Sequence, residues 1–325
     1  MNIQMIGAGS WGLALARLLA MNGHNVRLWC REEDDPDTLR DTRQSRFFLP
    51  GILLPEAIDV SRDIDPGADI AVLATPSHAM RSVAGKLQFS PQTIRVSVAK
   101  GVENETLLRM SEVIADVSGP CTVAALSGPS HAEEVAHDLP ASVVVAGSNL
   151  EACERVQSAF VSRSFRVYTS PDIVGVELGG SLKNVIAIAA GVCDGFGLGD
   201  NAKAALMTRG LAEMARLGVA MGADPLTFAG LSGMGDLITT CESKHSRNRA
   251  VGEKIASGLS LEAILGSSPM VAEGVRTAQS AHALARRTGV ELPITEQVYR
   301  VLFEGADARN AIDALMGRDA KPERG

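Results

Sequence analysis

A short β-rich run at residues 2–6 leads directly into Gly7-Ala8-Gly9-Ser10-Trp11-Gly12, and a helix-like segment follows at residues 11–22. Three glycines at this spacing, between a strand and a helix, constrain the fold more than any other feature of the chain. Gly7 allows the tight turn, Gly9 lets a pyrophosphate approach the backbone, and Gly12 lets the helix pack closely on the strand. Free N–H groups at the helix start then face the phosphates. Further strand-like runs lie at 25–30, 70–74, 94–99 and 122–126, then at 142–146 and 165–168, with a helical pattern at 105–116. Strands alternating with helices build βαβ units, so the expectation is a Rossmann-type α/β domain with a mostly parallel sheet covered on both faces. Its expected ligand is NAD or NADP.

The pattern changes after Ser170-Pro171-Asp172. Pro171 suits the first position of a helix, behind Ser170 as its cap. Long Ala- and Leu-rich helical patterns follow at 174–192, 203–221, 246–257 and 277–288. The expected boundary is Thr169, with a dinucleotide-binding domain at 1–169 and an all-α domain at 170–325. A length of 325 residues suits two domains. There is no internal repeat, and the polar tail 318–325 is expected to fray.

A net charge of -7, with a pI of about 5.5, gives no global attraction for nucleic acid or anionic lipid. Aromatics at 4% do not furnish a base-stacking surface. The first residues lack the basic start of a signal peptide, and no apolar run reaches the roughly 18 residues of a membrane helix. The five cysteines form no Cys-x-x-Cys pair and read as reduced thiols. The chain is therefore expected in the cytoplasm, without a metal, a nucleic acid or membrane insertion.

Candidate chemistry lies at five places. Cys30-Arg31-Glu32-Glu33 ends the second strand, where an acidic residue favours NAD and an arginine favours NADP. The residues leave this choice open; Arg31, nearest the strand end, tilts it toward NADP. Lys100, in Ala99-Lys100-Gly101, follows a strand and can hold an anion. Ser127-Gly128-Pro129-Ser130-His131-Ala132 offers small residues and N–H groups to an anion, with His131 expected to be a solvated loop residue. Lys183 sits in an apolar helical stretch, where burial and a second cation would lower its pKa and make it a usable base. Finally, Ser246 can cap a helix whose first turn holds Arg247 and Asn248. A cation at that end is unfavourable unless an anion sits there, which points to a phosphorylated substrate.

With these residues the chain resembles the bacterial NAD(P)-dependent glycerol-3-phosphate dehydrogenases from Met1 to about Gly305. The resemblance is carried by GAGSWG, FLPGILLP, AKG, SGPSHAEE, ELGGSLKNVIAIAAGVCDGFGLGDNAKAALMTRGLAEM, GMGDLITTC, SRNRAVG and VAEGV. It implies reversible reduction of dihydroxyacetone phosphate to sn-glycerol 3-phosphate, feeding glycerophospholipid synthesis. It also implies that Lys183 is the proton acceptor in oxidation and the donor in reduction. Lys100, Gly128, Ser130, Lys183, Asp236, Ser246, Arg247 and Asn248 fall on substrate positions. Ser10, Trp11, Arg31, Phe48, Lys100, Ala132, Arg247, Val271 and Glu273 fall on cofactor positions beside the three glycines. Asp236 would orient Lys183 or bind a substrate hydroxyl, and Lys100 or burial would offset its effect on the lysine. The competing readings are a sibling dehydrogenase acting on a hydroxy or sugar acid and a non-catalytic NADP sensor. A homodimer through the helical domain is a further expectation.

Overall fold

The computed structural model describes residues 1–266, 272–320 and 322. Its first half is one eight-stranded sheet: β1 (Asn2–Ile6), β2 (Asn25–Trp29), β3 (Ile58–Ser61), β4 (Ile70–Leu73), β5 (Ile94–Ser97), β6 (Val123–Ser127), β7 (Ala141–Ala146) and β8 (Phe165–Ser170). The order is β3-β2-β1-β4-β5-β6-β7-β8, and every neighbouring pair is parallel except β6 and β7. This is the mostly parallel sheet expected, with β7 and β8 reversed at one end. β4 is a wholly buried apolar strand, and β1 is buried from Ile3 onward, Gln4 included, as a sheet covered on both faces requires. Helix Ser10–Met21 packs its leucines and alanines into the main core of this half.

β3 is an eighth strand that the sequence reading omits. It is four residues long, Ile-Asp-Val-Ser, and lies at the sheet edge with only its apolar residues buried. The helix expected at 105–116 begins only at Met110. Residues before it form a loop closed by a bridge between Val102 and Arg109, with Leu107 left-handed at φ 60°. The Ser170–Pro171 start is also corrected. Ser170 still belongs to β8, and Asp172 caps the next helix by accepting from the Gly175 N–H at 2.9 Å. A carboxylate is as good a cap as a hydroxyl, and here it stands one turn ahead of a buried N–H.

That helix, Ile173–Gly195, is the axis of the second half, and the described remainder of that half is helical. By length and composition it would cross a membrane, contrary to the expectation that no segment would, but 83% of its most apolar window is buried inside the fold. It is a core helix. Helices Asp200–Ala220, Asp236–Glu242, Arg247–Ala256 and Glu273–Thr288 surround it and share its apolar core. Its first turns also meet the sheet half. Gly180 lies so close that a β-carbon there would fall 2.3 Å from the Oγ of Ser127, the last residue of β6. Glu177, one turn earlier, is buried and accepts from the Arg109 guanidinium at 2.6 Å and from the Ser111 N–H and hydroxyl at 2.8 and 2.6 Å. These contacts fix the helix that carries Lys183 against the carboxyl edge of the sheet.

Candidate active site

The loops after β1, β2, β4, β5 and β6 all emerge at that carboxyl edge, where open α/β sheets bind ligands. After β1 the glycine turn has the expected form. Gly7 has φ +109°, which a side chain would strain, and a β-carbon on Gly12 would lie 2.0 Å from the Gly7 carbonyl oxygen. A β-carbon on Gly9 would instead project into open space. The backbone is thus bare where a pyrophosphate has to approach it. Helix Ser10–Met21 has no acidic residue in its first turn to oppose an anion. Ser10 is buried, while Trp11 and Phe48 are half-buried against the sheet-domain core. These residues fit a dinucleotide. Arg31 begins a tight turn just past β2, and Ala132 opens the short helix Ala132–Ala136 beyond β6.

Two lysines and one carboxylate converge between the two halves. Lys183, on the axial helix, is 5% exposed. Its ammonium donates to the Asp236 Oδ1 at 2.6 Å and to the Thr240 hydroxyl. Lys100, three residues past β5, donates to the other Asp236 oxygen at 2.7 Å and to the Gly128 carbonyl at 2.9 Å. One carboxylate therefore holds two lysines, one from each half of the chain. Burial is the main force on Lys183 and drives its pKa down; Asp236 opposes that and Lys100 adds to it, leaving a value of about 8. Cys241 is fully buried nearby, and burial pushes its thiol up to about 12. It stays neutral, so Asp236 rather than a thiolate balances the lysine charge. Both counterweights expected for an Asp–Lys pair, burial and Lys100, are present.

The other expected residues cluster around this centre. Gly128 has φ +145°, and Ser130 donates its hydroxyl to the Gly128 carbonyl at 2.9 Å, shaping the loop after β6. Ser246 caps helix Arg247–Ala256 by accepting from the Arg249 N–H at 3.2 Å. Arg247, in the first turn, is exposed. Asn248 faces inward: its amide donates to Asn184 at 2.9 Å and its oxygen accepts from the Gly274 N–H at 2.9 Å. Asn184 in turn lies 3.3 Å from the Lys100 carbonyl. Glu273 starts helix Glu273–Thr288 and reaches across to Ser77, beyond β4, accepting from its N–H at 3.2 Å and its hydroxyl at 2.6 Å. Burial raises the pKa of Glu273. Val271 lies outside the described residues.

His131 departs from the reading. It is half-buried rather than solvated, its ring 5.9 Å from that of His245, and its Nε2 is buried without a hydrogen-bond partner. Burial first, then Lys183 and Lys100, lowers its pKa, so it is an uncharged wall of the site rather than a solvated loop group. Thr240 was missed from the sequence. Its position four residues after Asp236, on the same helical face, is the signal that would have found it. Among the described residues no group of three or more His, Cys, Asp or Glu side chains is placed to hold a metal.

A dinucleotide turn, a carboxyl-edge cleft and a buried lysine with lowered pKa define a two-domain nicotinamide-dependent oxidoreductase. Family comparison agrees over both halves. The N-terminal and C-terminal parts of the NAD-dependent glycerol-3-phosphate dehydrogenase family match residues 2–153 and 172–313, and the chain belongs to that family. It is similar to the glycerol-3-phosphate dehydrogenase (NAD(P)+) of Pelotomaculum thermopropionicum, with 52% identity over 97% of this chain and 93% of the relative. The enzyme of that name from Geobacillus kaustophilus is also 52% identical, over 99% of this chain and 96% of its own. The crystal structure of glycerol-3-phosphate dehydrogenase from Coxiella burnetii superposes with a TM-score of 0.94 at 37% identity, covering 98% of this chain and 99% of that one.

Proposed function

We propose that this chain catalyses the reversible NAD(P)H-dependent reduction of dihydroxyacetone phosphate to sn-glycerol 3-phosphate and so supplies glycerophospholipid synthesis. The observation that carries this reading is Lys183: a buried ammonium with a pKa of about 8, held on Asp236 beside Lys100 at the edge of a dinucleotide-binding sheet. The nicotinamide, when bound, supplies or accepts the hydride at the substrate carbon. The protein places the carbonyl and manages one proton. In reduction the Lys183 ammonium stabilises the developing alkoxide and donates its proton to that oxygen. In oxidation the neutral amine takes the hydroxyl proton. A pKa near 8 lets both forms exist at working pH. Asp236 and Thr240 hold the lysine nitrogen in place, and Lys100 adds positive charge beside it without itself transferring the proton.

Gly7, Gly9, Gly12, Ser10, Trp11, Arg31, Phe48, Ala132, Val271 and Glu273 are read as cofactor contacts. Gly128, Ser130, Asp236, Ser246, Arg247 and Asn248 are read as substrate positions, with Lys100 and Arg247 facing both ligands. Arg247 and the N–H groups at the start of its helix receive the phosphate, and the inward-turned Asn248 steadies that start through Asn184 and Gly274. The two units are divided at about residue 169. Five free cysteines suit a cytoplasmic setting. Exposed apolar side chains on the helical half, Val219 and Leu226 among them, are compatible with a homodimer, which light scattering would establish.

The test follows nicotinamide absorbance with dihydroxyacetone phosphate, dihydroxyacetone and a 2-keto acid. Oxidation of NADH or NADPH with the phosphorylated ketone alone is expected. Turnover of the keto acid in its place would assign the chain to a sibling activity, and cofactor binding with no ketone turned over would make it a sensor.

A further inference from the structure

The turn after β2 holds Arg31 in a committed state. Its guanidinium donates to both Asp34 oxygens, at 3.2 and 2.9 Å, and its backbone N–H donates to the same carboxylate at 3.3 Å. Arg31 has 58% of its side-chain surface exposed, whereas Asp34 has 7%. The turn is held from the other side by Asp35, left-handed at φ 56°, and by Pro36 at the first position of the next helix. Asp34 therefore cannot follow Arg31 outward. If the guanidinium swings to a phosphate, a nearly buried carboxylate loses the two bonds that compensate its desolvation.

The next guanidinium is committed as well. Arg62, just beyond β3, donates to Glu32 at 2.9 and 3.0 Å and to Asp37 at 2.8 and 2.9 Å. Residues 31–37 carry five carboxylates (Glu32, Glu33, Asp34, Asp35 and Asp37) and one cation. A dianionic phosphate arriving there meets an acidic rim whose compensating arginines are already in use.

We infer that Asp34 sets cofactor choice in favour of NADH, by holding the guanidinium of Arg31 that the 2′-phosphate of NADPH would need. This rests on the reading that Arg31 faces the adenosine ribose, and it reverses the tilt toward NADP that Arg31 suggests by position alone. NADH can bind with the Arg31–Asp34 pair intact, whereas NADPH has to break it.

The measurement is kcat/KM for NADH and for NADPH at fixed dihydroxyacetone phosphate, in the wild type, Asp34→Asn, Arg31→Ala and the double variant. The wild type should use NADH about fivefold or more better than NADPH. Asp34→Asn should raise the NADPH/NADH ratio by about fivefold or more, mainly through KM for NADPH, and should have no such effect when Arg31 is alanine. An unchanged or lowered ratio in folded Asp34→Asn overturns the inference. Should that variant fail to fold, Asp34→Ser is read the same way, and a wild type that prefers NADPH overturns the inference without any variant. The underlying placement is tested separately. If Arg31→Ala leaves KM unchanged for both cofactors, Arg31 does not face the ribose and the premise itself falls.

Discussion

Replacing Lys100 by methionine tests how the site sets the charge of Lys183. Both ammonium groups hold one carboxylate, at 2.6 and 2.7 Å from its two oxygens. Two unit charges roughly 5 Å apart at an effective dielectric of about 20 repel by about 3 kcal/mol, or about two pH units. Lys100 has 19% of its side chain exposed, and screening reduces the effect to about one unit. Lys183 starts from a pKa of about 8. The value of kcat/KM for glycerol 3-phosphate oxidation reports the free enzyme's base. It should rise with pH through a midpoint of about 8 in the wild type and about 9 in Lys100→Met. The maximum itself will fall, because Lys100 is also read as a ligand contact, but the midpoint is independent of that loss. A midpoint that stays in place or moves down would refute the coupling of the two lysines.

Four other outcomes follow. Asp236→Asn removes the anion that opposes burial, so the same midpoint should move below 8; an upward shift would contradict the assignment of Asp236 as the counter-ion. Arg247→Ala should raise KM for dihydroxyacetone phosphate by about tenfold or more with a smaller change in kcat, and an unchanged KM would remove the phosphate from that helix start. Gly12→Ala drives a methyl into the Gly7 carbonyl and should cost about 1–3 kcal/mol in urea unfolding together with most of the cofactor affinity; full NADH binding in that variant would contradict the turn geometry. The charged form of Lys183 is penalised by burial, so Lys183→Met should be more stable than the wild type at pH 7. With a folded pKa of about 8 against an ordinary 10.5, the penalty is fully present below pH 8 and relieved as pH rises to 10.5, a span of at most about 3 kcal/mol. Parallel urea titrations should show the gap closing with pH, and a gap that widens would reverse the sign of the shift.

Features written locally were legible in the sequence. The glycine turn, the lysine inside an apolar helix and the serine ahead of Arg247 each depend on neighbours a few residues away, and each folds as those neighbours dictate. β3 was not legible because four alternating residues on a sheet edge carry too little pattern to separate them from a loop. The helix start at Ile173 was misplaced because Ser170 and Asp172 are equally good caps by type, and only the register of β8 decides between them. The contacts of Glu177 with Arg109 and of Glu273 with Ser77 join residues 68 and 196 positions apart, and nothing local marks either. His131 looked solvated because a loop residue usually is; the helix carrying Asp236 and the segment at His245 close over it only in three dimensions.

The central claim is that Lys183 carries the proton. The direct measurement is single-turnover reduction of dihydroxyacetone phosphate by folded Lys183→Met, beside the cofactor's dissociation constant from its fluorescence. Proton transfer by a positioned group, with electrostatic stabilisation of the alkoxide, predicts a rate loss of about 1,000-fold or more with cofactor affinity unchanged. A single-turnover rate within tenfold of the wild type, at equal cofactor affinity, would contradict the claim.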